Sequence, residues 1–465
     1  MKIPFIGPAY ASDSLPVSAQ TCVNWYVEAN APGAEGPVSL KPTPGLVEFA
    51  DLGTNLPVVG MCVLNEYLFA VSGSTLFKIS AAGNASEIGA VLTQAEHVSL
   101  AQNGLQLIGA DETGGVIYTE AGGLVAITDP DFPNASSLCF FDGYFVYVRP
   151  ATAIFGVSGL YNGFSYDALQ FATAEGAAGN RLLACVNDHR QLWLFGTKSI
   201  EIWYNSGSSY FPFTRYGGAF IERGCAARFS PAKVDNSVFW LGDDNVVYRA
   251  VDFTPVRIST HALEAAINTY PAVNDSFGYT YSQGGHSFYV LTFPSSGGET
   301  WAFDTVTGLW HQRKSYGMTR HRANCYANFN GNHIVGDVEN GKLYRMDTET
   351  YTDGGDPIVR ERTTQVLSSE GAAIRMSSLQ VLFEQGTGLL SGQGEDPQAM
   401  LQWSDDGART WSSEMWVSIG KMGKYGYRSI WRRLGSFRTR VFRLRISDPI
   451  KAVVIDSMAE IERMR

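Results

Sequence analysis

Between residues 58 and 350 the chain repeats one short pattern. A run of aromatic and β-branched residues is followed by Gly, Asn, Asp or Pro, as in YLFAVSG (67–73), FFDGYFVYV (140–148), RQLWLFG (190–196), SVFWLG (237–242) and SFYVLTF (287–293). The runs are short, and no helical period is sustained across them, so the pattern predicts strands joined by tight turns. One segment departs from it: HALEAAINTY (261–270) predicts a short helix.

A second regularity overlies the first. An apolar residue followed by an aromatic recurs as Leu76-Phe77, Ile117-Tyr118, Leu160-Tyr161, Ile202-Trp203, Val247-Tyr248, Ala302-Phe303 and Leu343-Tyr344, at intervals of 41, 43, 42, 45, 55 and 41 residues. Spacing in the low forties is that of one four-stranded propeller blade. A blade has two apolar faces and cannot bury both alone, so blades stack around an axis. The anchors predict about seven blades, with six possible, and the longer interval is assigned to an insertion near PSSGGET (294–300). TWAFDTVTGLWHQR (300–313) resembles the kelch-type hairpin, in which Asp304, Thr307 and Gly308 shape the turn and Trp310 packs between sheets.

The flanks differ from this middle. Four prolines between Pro32 and Pro44 exclude a helix there, and Trp25, Tyr26, Leu40, Leu46 and Phe49 are too apolar for a solvated linker. Residues 1–57 are therefore expected to form an extended docking arm, 58–355 the propeller, and 356–465 a separate β-sandwich-like domain. In its run VFRLRI, Phe442, Leu444 and Ile446 would face a core, while Val441, Arg443 and Arg445 would face outward. The fold class expected is all-β.

Charge sharpens this division. The net charge is -10, yet residues 421–445 hold nine cations and no acid: Lys421, Lys424, Arg428, Arg432, Arg433, Arg438, Arg440, Arg443 and Arg445. The remainder carries 26 basic against 45 acidic residues. Tyr425, Tyr427, Trp431, Phe437 and Phe442 interleave with the cations, a combination that suits nucleic acid. Given the acidic remainder of the chain, docking on another subunit is the favoured reading, and a solvated face is the bland alternative. These nine residues are the candidate interaction set.

Catalytic chemistry is poorly supported. QWSDDGARTW (402–411) resembles the Asp box of sialidases, but it occurs once and outside the repeat. Its Gly407 comes one position early, and Ala408 stands where Gly is usual. It reads as a turn that fixes a hairpin. Arg181, Arg215, Arg228, Tyr216 and Glu222 supply sialidase-like residue types with no spacing that unites them. The seven histidines are scattered, with no zinc signature, and no phosphate-binding glycine loop or calcium loop occurs. Cys22, Cys62, Cys139, Cys185, Cys225 and Cys325 form no close pair and read as buried free thiols. No run is long and apolar enough for a membrane span, and MKIPFIGPAYAS is a poor signal peptide. No catalytic, cofactor-binding or metal-ligating residue is expected, and no cofactor.

In order along the chain, CVNWY (22–26), SLKPTPGL (39–46), the propeller, WSDDGxxTW (403–411) and RxFRLR (440–445) resemble the packaged-DNA stabilisation proteins of short-tailed bacteriophages, also called tail hub or nozzle proteins. The resemblance spans almost the whole chain. It implies a non-enzymatic virion protein, assembled in the host cytoplasm. It further implies a homo-hexameric ring that extends the DNA exit channel below portal and adaptor and helps retain packaged DNA. Its neighbours would be the adaptor, tailspike or fibre, and needle or tip proteins, with viral DNA in transit. Two other readings stay open: a glycan-binding or glycan-hydrolysing propeller, and a kelch-like protein-interaction propeller.

Overall fold

A computed structural model describes residues 2–3, 5–90, 97–174, 176 and 178–463. Five four-stranded antiparallel sheets follow in order at 58–90, 99–126, 137–173, 182–221 and 232–257. A sixth blade spans 277–313. The seventh has only three strands of its own, Ala323–Phe329, Asn332–Asp337 and Lys342–Asp347. Its fourth strand is Gly45–Asp51, which pairs antiparallel with Lys342–Asp347. The ring is thus closed by a strand that precedes the first blade in sequence, and Leu46 and Ala50 are buried in the closure.

Hydrogen bonds stitch every seam between blades. Going round from blade 1 they are Val98 N to Val59 O, Leu138 N to Ser99 Oγ, Cys185 N to Ser137 Oγ and Lys233 Nζ to Asn187 O. The circuit continues with Thr280 Oγ1 to Lys233 O, His333 Nε2 with Ser282 O, and Asn324 Nδ2 to Val58 O. Six of the seven aromatic anchors sit on the third strand of a blade and are buried: Phe77, Tyr118, Trp203, Tyr248, Phe303 and Tyr344.

Two sequence expectations need correction. Leu160-Tyr161 is not the anchor of blade 3: it lies in the turn after strand Ile154–Gly159, and Tyr161 is 57% exposed. Phe155, on the strand itself, fills that place and meets Trp203 edge-on at 4.9 Å. The blade's fourth strand, Asn162–Thr173, is long and bulged, which moves the register by several residues. The long interval before Phe303 is absorbed by the helix His261–Thr269 and its flanks, while 294–296 is a single 3-10 turn. Thr260 caps that helix, and Leu263 and Ile267 pack into the core.

The C-terminal sheets form a sandwich. One contains Trp25–Ala29, Val38–Pro42, Val454–Arg463, Ile374–Phe383 and Ser429–Arg432. The other runs through Arg360–Thr363, Thr439–Ile446, Gln398–Ser404 and Met415–Ser418. This second sheet continues into blade 6 through the two-residue strand Cys22–Val23, which is parallel to Leu309–Arg313 on one side and antiparallel to Arg360–Thr363 on the other. Residues of the segment expected as an arm therefore lie in both bodies. One hydrophobic cluster runs from Leu291, Phe303 and Trp310 of blade 6 through Trp25 and Leu40 to Trp431, Phe442 and Leu444 of the sandwich.

Polar bonds reinforce the join. Asn24, at φ 56°, donates through Nδ2 to the carbonyls of Lys314 and Val359 and accepts from Lys314 N. Trp25 donates to Ala452 O at 2.7 Å. Buried Arg362 donates to the carbonyls of Phe5, Pro8 and Thr21 and to Gln20 Oε1. Removing a buried Trp of this kind costs about 3–5 kcal/mol. Trp25→Ala is therefore expected to lower the thermal transitions of propeller and sandwich together in calorimetry. Movement of the sandwich transition alone would contradict a shared core.

Candidate interaction surface

The nine cations do not share one face; the structure divides them into three groups. Lys421, Lys424 and Arg428 lie at one end of the sandwich, where loop 384–397 meets loop 419–428. There Lys421 pairs with Glu395 at 2.9 Å, Arg428 donates to Gln380 Oε1 at 2.7 Å, and Lys424 is exposed. Arg432, Arg433 and Arg438 lie at the other end, around the turn between Ser429–Arg432 and Ser436–Phe437. All three are exposed, and among the described residues only Arg438 has a side-chain bond, to Gly371 O.

The third group is largely committed within the chain. Arg440 is 3% exposed, forms a two-pronged pair with Asp405 at 2.6 and 2.8 Å, and lies over the Phe437 ring at 4.1 Å. Arg443 covers the Trp411 ring at 4.1 Å and donates to Gln402 Oε1. Arg445 pairs with Glu361 at 2.6 Å. The outward side of VFRLRI is thus less free than alternation predicts, and Val441 is buried. A buried, bidentate arginine is held for geometry and is not available to a partner.

Asp405 and Trp411, which hold Arg440 and Arg443, both belong to the Asp-box-like turn. Asp406 accepts from Ser404 Oγ at 2.6 Å, Thr410 Oγ1 at 2.6 Å, and the backbone N–H groups of Arg409 and Thr410. The Ser404 hydroxyl, followed by Thr410, holds its carboxyl well below the usual carboxylate range. The whole stretch fastens the strand that carries Arg440 and Arg443. The sialidase-like residue types are not brought together. Arg215 and Tyr216 are on the outermost strand of blade 4, and Arg215 pairs with Glu201. Arg228 pairs with Glu112 of blade 2, across the mouth of the ring. Among the described residues no group of three or more His, Cys, Asp or Glu is arranged to hold a metal ion.

The Arg228–Glu112 pair lies over a filled axis. The Arg228 guanidinium caps the Phe229 ring at 4.7 Å, and His97 stacks on Phe229 at 5.2 Å and Phe277 at 4.6 Å. The space left beside them is a cavity of about 240 Å³. Burial, aided by nearby Arg320, pushes His97 down to about 4. Burial likewise takes His311 to about 3, and His321, ringed by Arg313, Arg320 and Arg322, well below its ordinary value. The thiols are inert: burial raises Cys22 and Cys225 to about 11 and Cys62 and Cys325 to about 12.

Two family models match this chain. The β-propeller model of bacteriophage P22 Gp10 covers residues 1–351, and the β-sandwich model of the same protein covers 359–462. The chain belongs to the phage P22 Gp10 stabilisation family. It is a structural protein of a phage tail, a virion component that assembles with other virion proteins. No curated protein matches it. Among solved structures, the computationally designed Ika8 protein aligns at TM-score 0.39 and 10% identity, over 64% of this chain and 99% of its own. PorZ of Porphyromonas gingivalis, described as an essential surface component of the type-IX secretion system, aligns at TM-score 0.39 and 11% identity, over 73% and 44%. A chain of the Mitotic Checkpoint Complex aligns at TM-score 0.40 and 12% identity, over 68% and 96%. No helix among the described residues is long and apolar enough to cross a membrane.

Within this family member two side-chain effects are measurable. Ala408 sits at φ 69°, a left-handed conformation that costs a residue with a Cβ about 1–2 kcal/mol. Ala408→Gly is expected to raise unfolding stability by up to about 1 kcal/mol, after the entropy cost of glycine; a destabilised variant in denaturant titration would refute this. His97, His311 and His321 are held neutral in the fold, so the unfolded chain binds protons that the folded chain cannot. Stability is therefore full above the unfolded histidine pKa of about 6.5 and falls as pH drops toward 4, by about 1.4 kcal/mol per pH unit for each histidine. His97→Phe should reduce the proton uptake on unfolding at mildly acidic pH by about one.

Proposed function

We propose that this tail protein forms a homo-hexameric ring whose wall extends the DNA exit channel below portal and adaptor and helps retain packaged DNA. It works by shape and charge, without catalysis. It is assembled in the host cytoplasm beside the adaptor, tailspike or fibre, and needle or tip proteins. On this reading the propeller (58–355) and the sandwich (356–465) are the two bodies of that wall, and residues 1–57, expected as an arm, supply strands to both.

The observation that carries this reading is the filled propeller axis under the Arg228–Glu112 pair. The rings of His97, Phe229 and Phe277 meet there at 4.6 and 5.2 Å and an ion pair spans the mouth, so duplex DNA cannot pass along the axis. On this reading the channel lies between copies, with each chain a solid piece of its wall. The core shared by propeller and sandwich supports such a piece, because the two bodies cannot hinge freely. The acidic surplus outside residues 421–445 disfavours adhesion of DNA during exit.

Of the nine cations, Arg432 and Arg433 are the exposed pair best suited to a neighbour. Arg432→Glu with Arg433→Glu is expected to block tail completion while the purified monomer keeps its wild-type thermal transition. Immunogold electron microscopy of particles, with antibody against this chain, should label one vertex, on the tail. Unlabelled particles, or normal tails built from the double variant, would refute the ring-wall reading and the Arg432–Arg433 contact respectively.

A further inference from the structure

Another cavity lies at the seam between blades 4 and 5. It has a volume of about 200 Å³ and is lined by Asp188, Gln191, Trp193, Asn236, Asp252 and Phe253. Three two-residue hairpin turns frame it: His189-Arg190 of blade 4, and Asp235-Asn236 and Asp252-Phe253 of blade 5. His189, Arg190, Asp235 and Asn236 all have positive φ, between 44° and 60°, the geometry of type I′ turns. His189 links the two blades: its Nδ1 meets Asp188 Oδ2 at 2.6 Å, and its Nε2 meets Asn236 Oδ1. The polar rim is thus ordered by the fold itself, which lowers the entropy cost of binding there.

The groups that line this space are not all used by the fold. Trp193 is 3% exposed, and its indole N–H is buried without a hydrogen-bond partner among the described residues. A buried indole N–H ordinarily finds one. The side chains of Gln191 and Asp252, and the amide N–H groups of Asn236, likewise have no hydrogen-bond partner among the described residues. Aromatic rings lead outward from the same place. The Phe253 ring centre lies 6.1 Å from that of Trp193 and 5.4 Å from that of Tyr216, and Tyr216 lies 6.2 Å from Tyr204. Tyr216 and Tyr204 are 41% and 39% exposed. The cation beside them, Arg215, is taken up by Glu201 at 2.8 Å. The result is a polar cavity opening onto an aromatic ramp.

This set of groups selects a ligand. Asp188 and Asp252 repel an anion. Among the described residues no three His, Cys, Asp or Glu groups are arranged to hold a metal ion. An organic cation would leave the N–H donors of Trp193 and Asn236 without an acceptor. A sugar hydroxyl donates and accepts at one atom, so it answers carboxylate, amide and indole together. The C–H face of a sugar ring is apolar and can cover an aromatic side chain. Sites for drug-sized ligands begin at about 300 Å³, and this smaller space suits a single ring. We propose that the cavity binds one residue of an uncharged saccharide, and that Phe253, Tyr216 and Tyr204 carry the sugars that follow it in a chain. The proposal does not rest on the ring reading, because an isolated copy presents the whole site.

Calorimetric titration of the purified full chain tests it, with neutral hexoses, deoxyhexoses and N-acetylhexosamines, each free and as a linear oligosaccharide. At least one neutral sugar is expected to bind at millimolar concentration, and its oligosaccharide about tenfold tighter. Asp252→Ala should weaken both forms about tenfold or more. Tyr216→Ala should weaken the oligosaccharide and leave the single sugar unchanged. Both positions are exposed, so the thermal transition should stay in place. Equal affinity for the single sugar and the oligosaccharide would make a free sugar the ligand and overturn the ramp. Absence of binding by every neutral sugar, binding that neither variant changes, or preference for N-acetylneuraminic acid overturns the proposal. If Tyr216→Ala instead removes the chain from purified particles while no sugar binds, the aromatic surface serves a protein neighbour and the proposal fails.

Discussion

The structure depends on a strand borrowed across nearly three hundred residues of chain. Blade 7 lacks an outer strand until Gly45–Asp51 lies against Lys342–Asp347. A propeller left open there would expose a ladder edge and the apolar faces beneath it. The N-terminal segment that carries this strand also gives Cys22–Val23 to the sheet that joins blade 6 to the sandwich, and a hairpin to the sandwich's other sheet. Closing the propeller and completing the sandwich are thus one event. Buried arginines hold the segment: Arg313 donates to Pro44 O, and Arg362 to three carbonyls nearer the start. A proline-rich extended chain has few N–H donors and many free carbonyls, and a guanidinium can serve several at once.

Charge is then used for two separate purposes. Inside, Arg440, Asp405 and the Trp411 turn fix the geometry of one strand. Outside, the cations at the two ends of the sandwich keep their charge available. The distinction matters because a desolvated pair contributes orientation and little net attraction, whereas exposed charge steers association. Net charge along the segment cannot make that distinction; accessibility does.

Most of the architecture was legible because a propeller blade encodes itself locally. Its hairpins are short, and its third strand repeats an apolar–aromatic pair at nearly constant spacing. The pattern failed where a turn imitated it. Leu160-Tyr161 has the right residue types and the right interval, yet the bulged strand that follows puts the buried aromatic at Phe155. The helix was visible as a break in strand patterning, but its effect on the spacing was assigned to the neighbouring hairpin. The borrowed strand was not legible, since pairing over such a separation leaves no local trace; only the apolar content of Trp25, Leu40 and Leu46 signalled burial. In the candidate surface, the Asp-box turn could be read as structural from its residues. That Arg440 is consumed by Asp405 could not, because both carry ordinary surface side chains and only the strand register brings them together.

The filled axis gives this topology its functional sense. A propeller with an open bore could guide a strand through itself and would need no partner to make a channel. Here His97, Phe229 and Phe277 occupy the bore, and Arg228 with Glu112 spans its mouth. What is left for function is the outside of a rigid body. The earliest described residues also lie against the latest strand: Ile3 N donates to Ser457 O, Ser457 Oγ to Ile3 O, and Lys2 pairs with Asp456. Neither body can then be peeled back without breaking the backbone ladders that join it to the other. Load applied to one face of such a piece is shared by antiparallel ladders throughout it, a property that suits the wall proposed above.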